Sequence, residues 1–200
     1  MTTATPEPGR DADGHTWEYL LRTWCDLDVP KGWRAEIDGA RITLAPPPHR
    51  HHHAVAATVQ RALYGVVPPE WGVYQWLGIH IGALGKLYVP DLVVVPAALV
   101  EDVEPEVSDP VDAAEALLVV EITSKSNAED DRKKKLWAYA HAPVPVYLLI
   151  DRFDEHGPTA TLFTEPENGA YKHAARVAFG DELRLPEPFA VTVDTGSFPH

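Results

Sequence analysis

Apolar and polar positions recur along this chain with two periods, and the switches between them predict its elements. Between residues 17 and 27, Trp17, Leu20, Leu21 and Trp24 stand at i, i+3, i+4 and i+7, the spacing of one helical face. Residues 33–37 and 41–44 flank Asp38-Gly39, a dipeptide that accepts the positive φ of a tight turn, so they predict a β-hairpin. The following stretch, 45–48, ends in three successive prolines, which lack backbone donors and enforce an extended, rigid connector. A second helix is expected to begin near His51 or His52, with Val55, Val59 and Leu63 four apart, and to stop at Gly65 and Pro68.

Residues 71–81 and 87–95 are rich in β-branched and aromatic side chains and are separated by Gly82 and Gly85, which predicts two paired strands. Residues 92–95 read as buried on both faces. The carboxylate-rich stretch 97–116, with Pro105, Ser108 and Pro110, reads mostly as a surface connection. A continuous apolar run over 117–122 has the length of a central strand; a charged helix over 127–141 and a strand over 144–150 follow it. Strand, helix and strand in that order imply a right-handed parallel crossover, with the functional loop at the end of its first strand. A second hairpin is predicted from 159–163 and 171–178 around Glu167-Asn168-Gly169, and 181–193 reads as a short peripheral tail.

The sum is a single α/β domain, a mixed β-sheet flanked by helices. The chain length of 200 residues suits one core, burying roughly 70% of the unfolded surface. Residues 1–14, small, polar and charged with Pro6 and Pro8, read as a disordered lead-in to a domain over 15–195. No apolar run has the roughly 18 residues of a membrane span, and the N-terminus lacks the pattern of a signal peptide, so a cytoplasmic protein without a membrane partner is expected. Cys25 is the only cysteine, which excludes an internal disulfide and multi-cysteine zinc sites; it reads as a buried small apolar residue.

The formal net charge of −13 argues against a broad basic surface for nucleic acid. It leaves room for a divalent metal with a small basic strip beside it, because the ion supplies positive charge locally.

Chemistry concentrates on three residues. Asp91, after Pro90, opens a buried strand; Glu121 interrupts the apolar run of the next; Lys135 lies on the helix that follows. An unpartnered buried carboxylate costs several kcal/mol, so a cation, a metal or a hydrogen-bond network should meet Glu121. Two acids at neighbouring strand ends suit Mg (or Mn), which takes one or two carboxylates plus water and phosphate and can activate water for hydrolysis. Asp130 with Lys134 and Asp131 with Lys135 read as solvated i, i+4 pairs. Lys135 also borders the apolar stripe of Leu136, Tyr139 and Ala140, from which it can reach inward to steady water or a phosphate oxygen.

Ala45-Pro46-Pro47-Pro48 with His52, Pro90-Asp91, Val120-Glu121-Ile122-Thr123-Ser124, then Asp131, Lys135 and Tyr139, then the run from Val146 to Asp151 resemble, as an ordered set, the Uma-two family of restriction endonucleases. The resemblance covers residues 17–179. It implies the restriction-endonuclease-like fold of the PD-(D/E)-x-K superfamily, with Asp91 and Glu121 as its metal-binding acids. Two residues after Glu121 stands Thr123 where the superfamily has lysine, which makes Lys135 its relocated substitute. The resemblance also brings in Glu36, as a further acid of the site or an exposed strand residue, and His52, at a helix start where phosphate can bind. Lys125, where many relatives carry proline, adds positive charge.

His49, His51, His52 and His53 invite a zinc site, but adjacent residues cannot all face one ion. The leading reading is a Mg-dependent endonuclease hydrolysing phosphodiester bonds of nucleic acid, with DNA the expected partner and a homodimer expected by analogy. Asp91, Glu121, Lys135, His52 and Glu36 would carry it. The alternative is a nuclease-fold binding or regulatory protein without turnover; a third reading is an unrelated metallohydrolase that uses the histidines.

Overall fold

The computed structural model describes residues 16–104, 109–125 and 127–199; the expected lead-in over 1–14 lies outside them. The chain runs α1 (Trp17–Cys25), β1 (Arg34–Asp38), β2 (Arg41–Ala45), α2 (Arg50–Tyr64), β3 (Trp71–Tyr74), β4 (Ile79–Ile81), β5 (Lys86–Tyr88), β6 (Leu92–Pro96), α3 (Ala98–Glu101) and β7 (Val111–Asp112). Then follow β8 (Leu118–Ile122), α4 (Ala128–Asp130), a π-helical turn (Asp131–Lys135), α5 (Leu136–His141), β9 (Val146–Asp151), β10 (Thr159–Glu167), β11 (Ala170–Ala178), β12 (Glu182–Arg184) and β13 (Thr192–Asp194).

Six strands form the central mixed sheet in the order β11-β10-β9-β8-β6-β3. Its middle pair, β8 and β9, is parallel, as the strand-helix-strand order requires, with Glu121 opposite Leu149. Alternation within this sheet divides the core. Leu92, Val94, Leu118, Val120, Ile122, Leu148 and Ile150 pack with Val55, Val59 and Leu63 of α2 on one face. Val93, Val95, Val119, Tyr147 and Leu149 pack with Ala138, Tyr139 and Ala142 on the other. Glu121 shares the parity of Val119, so a carboxylate stands on the face covered by α5.

A second sheet, β2-β1-β5-β4-β7, carries α1 through Leu20, Ile37, Leu87 and Val89. Here the structure corrects the expectation of two long paired strands over 71–81 and 87–95. Each run bends and serves both sheets, β3 pairing with β6 in the central one and β4 with β5 in the other. The first bend sits at Trp76, whose φ of 59 is rare outside glycine. The second falls at Val89-Pro90-Asp91, which brings Asp91 to the junction of the sheets, one residue before β6.

Four smaller corrections follow. The first hairpin turns on Gly39-Ala40 rather than Asp38-Gly39, because Asp38 pairs with Arg41 and Gly39 takes the positive φ. The stretch 97–116 is not merely a surface connection: Val111 pairs with Ile79, and Ala113 and Ala116 are buried. The tail over 181–193 is not peripheral, since Leu183, Leu185, Phe189, Val193 and, beyond it, Phe198 complete the core over α2. Cys25 is half-buried at the end of α1, with Sγ 3.8 Å from Asp109 Oδ1, instead of lying in the core.

Candidate active site

β1 alternates strictly. Ala35 and Ile37 enter the core, which sends Arg34, Glu36 and Asp38 to the opposite face, toward the junction of the sheets and the helical segment after β8. Asp91 meets that face. Its Oδ1 accepts from Arg34 Nη1 at 2.7 Å and lies 2.8 Å from His52 Nε2, while its Oδ2 accepts the Ile122 backbone N–H at 2.8 Å. The last bond ties Asp91 to the residue after Glu121, so the two sequence-predicted acids do stand at adjoining strand ends.

Lys135 reaches the same place from the helix. Its Nζ donates to Glu121 Oε1 at 3.1 Å and to Glu36 Oε1 at 3.0 Å, and lies 3.4 Å from Asp131 Oδ1. Tyr139 Oη donates to Glu121 Oε1 at 2.7 Å. Asp131, Lys135 and Tyr139 recur every four residues and are all buried, with the π turn, a form often found at functional sites, holding the first two inward. The expected solvated pair of Asp131 and Lys135 is therefore a buried one. Of the five residues expected at the site, Asp91, Glu121, Lys135, His52 and Glu36, all converge here. Arg34 and Asp131 join them as members that sequence reasoning did not assign to it.

Buried charge dominates the electrostatics. Burial pushes the Glu121 carboxyl up to about 8, with Asp131, Asp91 and Glu36 adding to the rise and Lys135 opposing it. Asp131 is likewise pushed up to about 6, chiefly by burial. Asp91 moves the other way: burial would raise it, but His52, Arg34 and the Ile122 N–H together hold it below its usual range. Burial would lower Lys135, yet Glu121, Glu36 and Asp131 keep its ammonium well above the ordinary value.

The residues fit a hard divalent cation by charge and donor chemistry. Glu36, Asp91, Glu121 and Asp131 are met by two permanent cations, Arg34 and Lys135, and both carboxylate oxygens of Asp131 are buried without a hydrogen-bond partner. All candidate donors are carboxylate oxygen, the ligand type of Mg and Mn. Among the described residues no three His, Cys, Asp or Glu side chains already converge as a ligand cage. The histidines of the run diverge: His49 stands just before α2 and lines a cavity, His51 Nδ1 lies 3.5 Å from Arg152 Nη2, His52 Nε2 lies against Asp91, and His53 packs near Trp76.

Thr123 explains its own identity. It is fully buried, its hydroxyl donates to Asp151 Oδ1 at 3.1 Å and accepts the Arg152 N–H at 3.0 Å, and it thereby joins the ends of β8 and β9. A lysine could not make both bonds. The ammonium that meets Glu121 comes instead from Lys135 of the following helical segment.

The sequence profile of the Uma2 family, described as "Putative restriction endonuclease", matches residues 17–195. The chain belongs to the Uma2 family. Among solved structures, that of "a putative nuclease belonging to DUF820" from Anabaena variabilis ATCC 29413 is similar to this Uma2 chain, with a TM-score of 0.69 and 17% identity. The match covers 92% of this chain and 97% of the other, and at that identity it establishes the shared fold. No curated protein matches the sequence. Uma2 membership and this fold make the function nuclease-like.

Proposed function

We propose that this protein is a metal-dependent endonuclease that hydrolyses phosphodiester bonds of nucleic acid, with DNA as the substrate. The observation that carries the reading is the convergence of buried Asp91, Glu121 and Asp131 and half-buried Glu36 on Arg34 and Lys135, a cluster short of positive charge. Asp91 and Glu121 would hold Mg (or Mn), which supplies Lewis-acid charge for phosphoryl transfer and lowers the pKa of water. Lys135 presents its ammonium to an attacking water or a phosphate oxygen, and Glu36 positions that ammonium. His52 positions the Asp91 carboxylate from the start of α2, and Arg34, bonded to Asp91 Oδ1 and to the Val89 carbonyl, completes the brace. No helix among the described residues is long and apolar enough to cross a membrane. The same reading takes the enzyme to be cytoplasmic and homodimeric.

A non-catalytic nuclease-fold module is the second reading, favoured by the contacts that already occupy Asp91 and Glu121 with Arg34, His52 and Lys135. Calorimetric titration with Mg separates the two. The enzyme reading expects saturable binding that Asp91→Asn and Glu121→Gln each abolish; unaltered titrations in both variants would contradict it.

A further inference from the structure

Beside the acids lies a cavity of about 390 Å³, within the roughly 300–1,000 Å³ range of small-molecule sites. One wall is the proline connector, Pro46 to Pro48, and Phe153, a residue 36% exposed, stands in the lining. Both are held. A Cβ at Gly32 would come within 3.2 Å of Pro47 Cγ, so that ring is seated against the backbone. The Phe153 N–H donates to Asp151 Oδ1 at 3.1 Å, and its carbonyl accepts from Arg132 Nη2 at 2.9 Å.

The charge of this cavity is the reverse of the protein's. On a chain of net charge −13, its lining includes Lys125 and Arg152 and no aspartate or glutamate. Among the described residues neither of these cations forms an ion pair with a carboxylate, unlike Lys133, Lys134 and Arg132. The second cavity near the site, about 290 Å³, contrasts with it, since Glu36, Asp38 and Asp130 are among its lining residues. Uncompensated cations cost self-repulsion and desolvation, which an anionic ligand relieves. An exposed aromatic ring and rigid apolar walls suit a flat, unsaturated ring system, as in single-strand binding, where bases stack on aromatic side chains above a positive track.

Arg34 and His52 line this cavity and also hold Asp91. A phosphate seated here therefore adjoins the buried acids. We infer that the cavity receives one unstacked nucleotide of the substrate, its base against Phe153 and the prolines and its phosphate on Lys125 and Arg152. The space admits one nucleotide and not a base pair with both its strands. The substrate class is thereby narrowed to nucleic acid that is single-stranded, frayed or locally opened at the cleavage point. This rests on the nucleic-acid reading given under Proposed function.

Fluorescence anisotropy with a labelled oligothymidine and a blunt duplex of equal length, in EDTA and at one fixed salt concentration, tests it without requiring metal or turnover. The single strand is expected to bind about tenfold or more tightly than the duplex. Phe153→Ala, at an exposed position, is expected to weaken single-strand binding by about 5- to 150-fold, the range of one lost base stack. Lys125→Gln with Arg152→Gln should weaken it and lower its salt dependence. Equal binding of strand and duplex, unchanged by Phe153→Ala, overturns the inference and leaves the nucleic-acid reading standing. If neither form binds, the inference falls, and the nucleic-acid reading then stands or falls on the same titration repeated with Ca in place of EDTA.

Discussion

Lys135 Nζ lies 3.1 Å from Glu121 Oε1 although the two residues belong to different elements, a helix and the strand before it, separated by 14 positions. The cation at this acid comes from the facing helical segment, while the strand itself carries Thr123 two residues after the acid. The pair is buried on both sides, with side-chain exposures of 5% and 1%, so its charge must be met inside the protein.

Removing that ammonium should be costly. Lys135→Met leaves Glu121, Glu36 and Asp131 without their common cation, and breaking a buried pair in this way typically costs about 3–5 kcal/mol. Denaturant unfolding should show the loss at pH 8 and a smaller one at pH 5, where carboxyls pushed upward hold protons. Adding Glu121→Gln to Lys135→Met should recover part of the stability. A double variant no more stable than the single one would contradict the pairing.

Stability should fall as pH rises. Glu121 moves from an ordinary 4.5 to about 8 and Asp131 from 3.8 to about 6 in the folded state, so folding binds protons that the unfolded chain releases earlier. Their contribution is complete below the unfolded values and is lost progressively as pH climbs through the folded ones, between about 4 and 8. The depressed Asp91 acts with the opposite sign, and only below its ordinary 3.8. Thermal denaturation across this window should show a decline that is shallower in Glu121→Gln. A decline of equal steepness in wild type and variant would remove Glu121 as the cause.

Thr123 should behave as a tie between strands. Thr123→Val keeps the shape and removes a hydroxyl that bonds Asp151 and Arg152, leaving a buried acceptor and donor underused, at a cost of about 1–3 kcal/mol. Thr123→Lys should destabilise further and should not restore activity to Lys135→Met. Rescue by Thr123→Lys would show that a lysine at the strand position can replace Lys135.

The C-terminal tail should unfold with the domain. Phe189 is 2% exposed within the core over α2, so Phe189→Ala is expected to cost about 3–5 kcal/mol. Urea unfolding monitored by tryptophan fluorescence should shift as one cooperative transition. A shift under 1 kcal/mol would return this segment to the periphery.

Long-range placement, more than local pattern, limited what the sequence disclosed. Glu121 was legible because a carboxylate inside Val119, Val120 and Ile122 contradicts its surroundings, and Lys135 because Leu136 and Tyr139 mark the buried side of its helix. Arg34 was not, since Arg34, Glu36 and Asp38 at a period of two look like the wet face of any hairpin. Only the packing of that face against Asp91 and Lys135 gives them a role. Asp131 stands in the family-like set, but within its run of charges it reads as a solvated partner of Lys135, and the π turn that carries it inward has no sequence signature comparable to the stripe of α2. The four-strand division of 71–95 escaped for a similar reason: bends at Trp76 and at Val89-Pro90-Asp91 depend on which sheet each half joins.

Cleavage of DNA tests the central claim most directly. Purified protein is incubated with single-stranded and duplex DNA in Mg, in Mn and in EDTA, beside Asp91→Ala prepared identically. Expected are products with either metal, none in EDTA, and at least a hundredfold slower cleavage by Asp91→Ala. Equal products from wild type and Asp91→Ala, or no cleavage by wild type with either metal, would contradict it.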